Sequence, residues 1–213
     1  MRAVTEWTKE SPAPGVVAYQ PSRGYRYGVE VYALATFAMR SDLLKPGDPP
    51  ATALDLGAGS GVLGLLLAYR GLRVTGVELD AAWVERARQG ATESRLPVEV
   101  IHGDVRHWSG PRVDLVVTNP PWFDPARGPC SPDPMKAAAR TCFHGDVADF
   151  VRVGLAHSDR VCVVTRQVAG SVSAGAWVAR IARLGKNVVC FEVRAGTGTA
   201  VEEPLGDVYE GFR

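Results

Sequence analysis

The stretch that decides the fold runs from residue 51 to residue 71 and reads ATALDLGAGSGVLGLLLAYRG. Its first six residues, 51–56, are an apolar run of strand length, and residues 61–71 follow as a helix-like run that ends on glycine. The turn between them is rich in glycine, whose freedom at positive φ permits a tight strand-to-helix connection. The stretch therefore predicts a buried strand that passes directly into a helix.

The same alternation of strand and helix continues along the chain. Further strands are predicted over 72–79, 98–104, 113–119, 160–165 and 187–193, and helices over 29–44, 80–91, roughly 135–157 and, more weakly, 168–184. Strands separated by segments of helix length predict a mostly parallel sheet that is covered by helices on both faces. Ligands of such sheets bind beyond the carboxyl ends of the strands, where the strand order reverses.

Length and composition are those of a globular domain. The chain has 213 residues, of which 46% are hydrophobic and 22% charged, which argues against disordered and fibrous classes. Residues 1–20 are polar and carry proline and glycine, so we expect a loosely ordered lead-in to a single domain over 21–213. The sequence has no apolar run of the roughly 20 residues that a membrane span needs and no signal-peptide core, so a cytoplasmic protein is expected.

Charge and cysteine content say little about partners. The net charge is +1, so an RNA-binding surface would depend on local clustering of arginines. The four cysteines include no CxxC pair, so we expect neither a metal site nor a disulfide framework. Cys162 and Cys190 lie in apolar runs and are expected in the core. The oligomeric state stays open between a monomer and a homodimer.

Glycine and acidic residues at two strand ends predict a cofactor site. Gly57, Gly59 and Gly61 let a ligand approach the backbone at the start of a helix, where N–H groups are free. Glu78 ends the next strand, about 20 residues later, where a carboxylate can accept hydrogen bonds from ribose hydroxyls. Nicotinamide-dependent dehydrogenases share this layout, so they remain an alternative.

The residue that leads into the glycine turn distinguishes the two cofactors. Asp55 precedes a GxGxG turn, where dinucleotide sites have GxGxxG. An acid at this position would face the cationic end of S-adenosylmethionine and orient the turn, whereas two phosphates would gain nothing from it. The pattern therefore favours S-adenosylmethionine.

Asp104 ends the third strand of the series, in the tetrapeptide His-Gly-Asp-Val. Its carboxylate could accept from the adenine amino group of the cofactor while Val105 packs on the ring, although a cap or turn residue is the simpler interpretation of an isolated aspartate. After the glycine turn and Glu78, the cofactor interpretation is favoured. The predicted cofactor-binding residues are Asp55, Gly57, Ala58, Gly59, Gly61, Glu78, Leu79, Asp104, Val105 and Asn119.

The fourth strand ends in Asn119-Pro120-Pro121-Trp122, which predicts the chemistry. An aromatic amino group is a poor nucleophile because its lone pair is delocalised into the ring. The Asn119 side-chain oxygen and the Pro120 carbonyl could each accept one of its N–H bonds, which favours the charge that develops during methylation. Trp122 could stack on a planar base that has left its own stack. We predict Asn119, Pro120 and Trp122 as catalytic.

With these motifs placed, the chain resembles the class I methyltransferases that carry an Asn-Pro-Pro-aromatic motif. Within them it most resembles the bacterial family that methylates N6 of adenine 37 in valine tRNA. Residues 20–30 are similar to a family segment, Gly-Tyr-Arg-Phe-Gly-x-Asp, which helps to close the cofactor pocket and implies a role for Tyr27. Other similar segments are Ala139-Arg140, Glu203-Pro204-Leu205 and Tyr209-Glu210.

The resemblance implies a Rossmann-like class I methyltransferase fold, with a doubly wound, mostly parallel sheet and an antiparallel last strand. It implies an S-adenosylmethionine-dependent methyltransferase acting on adenine in RNA, with tRNA as the expected partner. The predicted substrate-binding residues are Pro121, Trp122, Phe123 and Arg140. The chain departs from the family at Thr141-Cys142, where the family has His-Glu, and over 166–200, which suggests one clear strand where the family has two.

Other functions remain open from sequence alone. A protein glutamine, a DNA adenine or a small-molecule amine could accept the methyl group, since glutamine methylation also uses an Asn-Pro-Pro-aromatic motif. A catalytically idle binding partner with the same fold is a different class of function. The intact Asp55, Glu78, Asp104 and Asn119 argue against an idle protein, and the Asn-Pro-Pro-Trp motif has no role in a dehydrogenase.

Overall fold

The computed structural model describes residues 6–39, 43, 48–122, 146–166, 168, 172 and 174–213. The strands of these residues are β1 (Trp7–Glu10), β2 (Ala18–Pro21), β3 (Thr52–Leu56), β4 (Arg73–Glu78), β5 (Val98–His102), β6 (Leu115–Thr118), β7 (Val161–Thr165), β8 (Ala176–Leu184), β9 (Val188–Ala195) and β10 (Val201–Glu202). The helices are α1 (Val29–Ala38), α2 (Val62–Tyr69), α3 (Ala81–Ser94) and α4 (Val147–His157).

The central sheet has the strand order β10-β8-β9-β7-β6-β3-β4-β5. Strands β3, β4, β5, β6 and β7 form a block in which every adjacent pair is parallel. Strand β9 runs antiparallel to both of its neighbours, β7 and β8. The chain moves outward from β3 to β4 and β5 and then returns to add β6 on the other side of β3. The strand order therefore reverses between β3 and β6, which is where sheets of this kind bind ligands.

Helices cover both faces of the sheet, as the alternation of elements predicts. Ala53 of β3 packs in a core cluster with α1 and α2, whereas Leu54 and Leu56 pack with Phe150 and Val151 of α4 on the opposite face. Burying a leucine side chain completely, as at Leu54 and Leu56, stabilises the fold by about 1.5–3 kcal/mol per residue. The doubly wound α/β sheet with an antiparallel strand near its end is thus confirmed.

The helix that follows the glycine turn is apolar all round because it is enclosed. Residues 62–68 of α2 are all buried, which accounts for the run VLGLLLA. Helix α3 begins where the sequence predicts, since the Asp80 carboxylate accepts hydrogen bonds from the Ala82 and Trp83 N–H groups. Within the described ranges, the helices lack the length and apolar character needed to cross a bilayer.

The helix predicted over 168–184 is wrong, because residues 176–184 form strand β8. Alanine, arginine and leucine have high helix propensity, but here tertiary pairing prevails. Strand β8 forms a hairpin with β9 through Gly185, which has a φ of +63°. Arg180 of β8 donates from Nε to the fully buried Glu192 of β9 at 2.9 Å. The region therefore has two strands, where the sequence suggested one.

The N-terminal residues are more ordered than the sequence suggests. Within the stretch predicted to be a loose lead-in, β1 and β2 form an antiparallel hairpin in which Trp7 is opposite Pro21. The hairpin packs on α3, where a Cβ at Gly90 would lie 2.7 Å from the Val17 carbonyl oxygen. The Val17 N–H also donates to Ser94 Oγ at 2.8 Å. A glycine on α3 thus permits the close approach that holds the hairpin.

Candidate cofactor and acceptor site

The site lies where β3 and β6 end side by side. Asp55 is opposite Val117 in the parallel register, and the buried Thr118 hydroxyl donates to the Leu56 carbonyl oxygen at 2.8 Å. The glycine turn after β3 and Asn119 after β6 therefore leave the sheet at the same edge. This is the reversal of strand order that the sequence predicts as a ligand site.

The glycine turn is held by the neighbouring strand. The N–H groups of Gly57 and Ala58 both donate to the Val77 carbonyl oxygen at 3.0 Å. Gly57, Gly59 and Gly61 have φ values of +76°, +55° and +78°, which L-residues rarely adopt. A Cβ at Gly59 would have no heavy atom within 4 Å, whereas Cβ atoms at Gly57 and Gly61 would crowd other side chains. The backbone at Gly59 is thus open to an approaching ligand.

Glu78 ties the end of β4 to this turn. Its Oε2 accepts from the Gly59 N–H and its Oε1 from the Asp80 N–H, both at 2.8 Å. Burial raises the pKa of the Glu78 carboxyl above its usual range, and the two backbone N–H groups oppose that rise. The next residue, Leu79, is exposed. Two backbone donors therefore hold the carboxylate in place at the end of β4.

Asp55 is buried beneath the glycine turn. It is only 1% exposed, and its Oδ2 accepts from the Gly64 N–H of α2 at 3.2 Å. Burial, with a smaller contribution from the nearby Glu78 charge, raises the pKa of Asp55 to about 7. A buried carboxyl with an elevated pKa is stabilised in its ionised form by a nearby cation. Its position therefore suits a positively charged ligand above the turn.

Asp104 follows β5 and caps the short helical turn that comes next. Its Oδ1 accepts from the Arg106 N–H at 2.9 Å, and the Arg106 guanidinium also contacts both carboxylate oxygens. This arginine lowers the pKa of Asp104 to about 2. The neighbouring Val105 is buried. The Gly103 N–H donates to the Glu78 carbonyl oxygen at 2.9 Å, which brings Asp104 to the same edge as Glu78.

These groups fit S-adenosylmethionine chemically. Three carboxylates, Asp55, Glu78 and Asp104, stand at the ends of the adjacent strands β3, β4 and β5. Carboxylates accept hydrogen bonds from ribose hydroxyls and an adenine amino group, and they attract a sulfonium or an ammonium. Repulsion from the same three acids would oppose a ligand with two phosphates.

Residues 20–30, here called the N-terminal segment, are linked to the glycine turn by Gln20. The Gln20 side chain is 1% exposed, and its amide nitrogen donates to Ser60 Oγ while its oxygen accepts from the Tyr27 N–H at 3.2 Å. The half-buried Tyr27 ring lies 6.2 Å from that of Tyr32, and burial raises the Tyr27 pKa. The predicted site omits Gln20, because a glutamine in a short polar strand carries no motif that points to its partner.

Asn119 is held by a second residue that the predicted site omits. Its Nδ2 donates to the Tyr25 hydroxyl at 3.2 Å, and Tyr25 in turn donates to Glu30 Oε1 at 3.5 Å. This network assigns the amide orientation, with nitrogen toward Tyr25 and oxygen on the other side. Pro120 is buried and Pro121 half-buried. The N-terminal segment thus contacts both the cofactor side and the acceptor side.

A hydrogen bond from the indole nitrogen fixes the position of Trp122. The indole Nε1–H donates to the Val164 carbonyl oxygen of β7 at 3.1 Å, and the Arg166 guanidinium carbon is 5.6 Å from the ring centroid. The ring is half-buried and packs against the core cluster of α1 and α2. Phe123 and Arg140, the other predicted substrate contacts, lie outside the described residues, as do Ala139, Thr141 and Cys142.

Comparison with known proteins agrees with this arrangement. Residues 35–128 match the family model of the methyltransferase small domain. The tRNA1(Val) (adenine(37)-N6)-methyltransferase of Tolumonas auensis is 37% identical over 92 residues, which cover 41% of this chain and 38% of the relative. The protein of the same name from Aeromonas hydrophila is 36% identical over 121 residues, covering 54% of this chain and 49% of the relative. The matched part therefore spans about half of these curated relatives or less.

The fold has close counterparts among solved structures. The T. thermophilus 16S rRNA N2 G1207 methyltransferase, solved with AdoMet and guanosine, superposes with a TM-score of 0.59 at 20% identity. The match covers 92% of this chain and 51% of that one. The class I methyltransferase fold is therefore confirmed, as is the resemblance to the tRNA adenine-37 family.

Proposed function

We propose that this chain, which has the fold of the class I S-adenosylmethionine-dependent methyltransferases, transfers a methyl group from S-adenosylmethionine to the exocyclic amino group of adenine in tRNA. The observation that carries the proposal is the Asn119 amide, oriented at the end of β6 next to the glycine turn that ends β3. The names of the curated relatives support adenine in tRNA as the acceptor.

The cofactor side holds and orients the methyl donor. S-adenosylmethionine, when bound, supplies an electrophilic methyl group on a positively charged sulfur. Glu78 would accept from the ribose hydroxyls, and Asp104 from the adenine amino group beside the buried Val105. Asp55, beneath the turn, would stabilise the positive end of the molecule. Tyr27 would close the pocket from the N-terminal segment, where Gln20 holds its backbone.

The acceptor side activates a weak nucleophile by position and electrostatics. The Asn119 Oδ1 atom and the Pro120 carbonyl oxygen would accept the two N–H bonds of the target amino group. The methyl carbon would pass to this nitrogen as its bond to sulfur breaks, and the surplus proton would leave to solvent, so that these residues need only orient the nitrogen and stabilise its developing charge. Acceptors placed for this developing charge typically contribute a factor of about 10² to 10³ in rate. No strong base is required.

A nucleobase substrate agrees with the surroundings of Asn119. Trp122 is a rigid aromatic residue three positions after Asn119, anchored by its N–H to β7, and its half-buried ring could stack on a planar base. A glutamine side chain, the target in the protein-methylation alternative, would gain less from such a contact. We place the protein in the cytoplasm, where tRNA is modified, with RNA as its partner.

The deciding experiment follows a labelled methyl group. The full chain is incubated with S-adenosylmethionine carrying a labelled methyl, and separately with tRNA, ribosomal RNA, DNA and protein fractions. We expect label in tRNA, recovered as N6-methyladenosine after nuclease digestion and chromatography, and none with Asn119→Ala. Label confined to protein or DNA would contradict the RNA substrate. The absence of label in every fraction, with cofactor binding intact by calorimetry, would contradict methyl transfer.

A further inference from the structure

We infer that Tyr25 is a positioning residue for the proposed methyl transfer: its hydroxyl fixes the orientation of the Asn119 side-chain amide, so that the amide oxygen faces the amino group to be methylated. This inference rests on the proposed function. It adds to the reaction a residue that lies 94 positions from Asn119 and outside the Asn-Pro-Pro-Trp motif.

The need for such a residue follows from the chemistry of an amide. The two ends of an asparagine side chain are nearly identical in shape, but the oxygen accepts hydrogen bonds and the nitrogen donates them. An amide turned by 180° would present an N–H to the substrate amino group, which is itself a donor. Catalysis at Asn119 therefore requires that one of two similar orientations be selected.

The hydrogen bonds around Tyr25 make this selection. The Tyr25 hydroxyl donates its single proton toward Glu30 Oε1 at 3.5 Å, a carboxylate that can only accept. Glu30 is held in turn by the Gly28 N–H, which donates to the same oxygen at 3.0 Å. The same hydroxyl oxygen accepts from the Asn119 Nδ2 at 3.2 Å. An inverted Asn119 would place its oxygen against the Tyr25 oxygen and would have to compete with Glu30 for the Tyr25 proton.

Tyr25 also differs in its contacts from the rest of the N-terminal segment. The link to the glycine turn is made by Gln20 through Ser60 and Tyr27, whereas the Tyr25 hydroxyl contacts the acceptor residue. Loss of the Tyr25 hydroxyl should therefore reduce the rate of transfer at saturating cofactor and leave the apparent affinity for S-adenosylmethionine unchanged. A purely structural role in closing the pocket would instead raise KM for the cofactor.

The test compares kinetics of tRNA methylation by the wild type, Tyr25→Phe and a matched control. We expect Tyr25→Phe to lower kcat about threefold to tenfold, the effect of one hydrogen bond, with KM for S-adenosylmethionine changed less than about twofold. The control is Tyr19→Phe, which removes a hydroxyl that donates to Glu93 of α3 at 2.7 Å. The kcat of this variant should equal that of the wild type. Thermal melting verifies that both variants are folded.

A second substitution tests whether Tyr25 acts by orienting the Asn119 amide or by a general effect on the structure of the site. In an Asn119→Asp background both side-chain oxygens accept, so there is no wrong orientation to exclude. Tyr25→Phe should therefore cost less than about twofold in kcat in that background. If Asn119→Asp is too slow to measure, or Tyr25→Phe does not fold, Glu30→Ala decides. It removes the acceptor of the Tyr25 proton, which can then bond to an inverted Asn119, and we expect a fall in kcat of about twofold to fivefold at unchanged KM.

The outcomes distinguish this inference from the proposed function. An active wild type with unchanged kcat in Tyr25→Phe, or with equal losses in the two Asn119 backgrounds, overturns the role of Tyr25 alone. If Glu30→Ala is the deciding variant, an unchanged kcat in it also overturns the role of Tyr25. A wild type that methylates no fraction overturns the proposed function, and this inference with it.

Discussion

The two sides of the candidate site are held in different ways. On the cofactor side, Asp55, Glu78 and Asp104 each accept from backbone N–H groups, at sequence separations of 2 to 19 residues. On the acceptor side, Asn119 depends on the side chain of Tyr25, 94 residues away, and Trp122 on a carbonyl 42 residues away. The first arrangement is largely local, and the second exists only when distant elements have come together.

The difference teaches which part of the site tolerates change. Backbone N–H groups stay in place when a neighbouring side chain is altered, so the carboxylates on the cofactor side keep their orientation. A side chain held by another side chain loses its orientation with its partner. Substitutions on the acceptor side should therefore alter the rate of transfer, and those on the cofactor side should alter affinity.

The largest expected effect is that of Asn119→Ala. Removal of the amide acceptor should lower the rate of methyl transfer by about a hundredfold to a thousandfold, because the developing charge loses a positioned dipole. Single-turnover methylation of tRNA measures the rate. The calorimetric Kd for S-adenosylmethionine should remain within about twofold of the wild type. A comparable loss of affinity would contradict the separation of the two sides.

Glu78→Gln tests the cofactor side and should have the next largest effect. An amide has one oxygen, so the Gly59 N–H or the Asp80 N–H loses its acceptor, and a ribose hydroxyl loses a charged partner. We expect the Kd for S-adenosylmethionine to rise about tenfold to thirtyfold, with kcat at saturating cofactor little changed. Glu85→Ala, at an exposed position of α3, is the control. A fall in kcat alone would reverse the assignment of Glu78.

The pH dependence of stability tests Asp55. Its pKa is about 7 when folded and near 3.8 when unfolded, so between these values unfolding releases a proton. The contribution of Asp55 to the unfolding free energy therefore falls as pH rises from about 4 to about 7, by at most about 1.4 kcal/mol per pH unit, and is constant above. The stability of Asp55→Asn relative to the wild type should rise through that window in urea titrations. A constant difference would mean that Asp55 ionises normally.

The smallest effect is expected for Trp122→Phe, which keeps an aromatic ring but removes the N–H bonded to Val164. The unfolding free energy should fall by about 0.5–1.5 kcal/mol, the net contribution of one hydrogen bond. Methylation at saturating substrates should stay within about threefold of the wild type, since a flat ring remains. Thermal melting and steady-state kinetics measure the two quantities. A severe loss of activity at unchanged stability would assign the indole N–H to the substrate.

Sequence reasoning was most successful where the signal is local. The run over 51–71 predicts β3, the glycine turn and α2, and the spacing of Glu78 and Asp104 places them correctly at successive strand ends. The prediction failed at β8, where helix propensity over 176–184 was overridden by pairing with β9 and by the buried Arg180–Glu192 contact. Residues 20–30 are predicted to help close the cofactor pocket, but the predicted site omits Gln20 and Tyr25, because their partners Ser60 and Asn119 are distant in sequence.

The long reach of the N-terminal segment has a consequence for the order of events during synthesis. Gln20 leaves the ribosome 40 residues before Ser60, and Tyr25 leaves it 94 residues before Asn119. A side chain destined for burial must therefore remain in water until β3 and then β6 have been made. Contacts between such distant residues form late, because the loop between them must first be closed. The cofactor-side carboxylates, the last of them Asp104, are thus all synthesised before Asn119, whose amide can be oriented only when Tyr25 comes into contact with it.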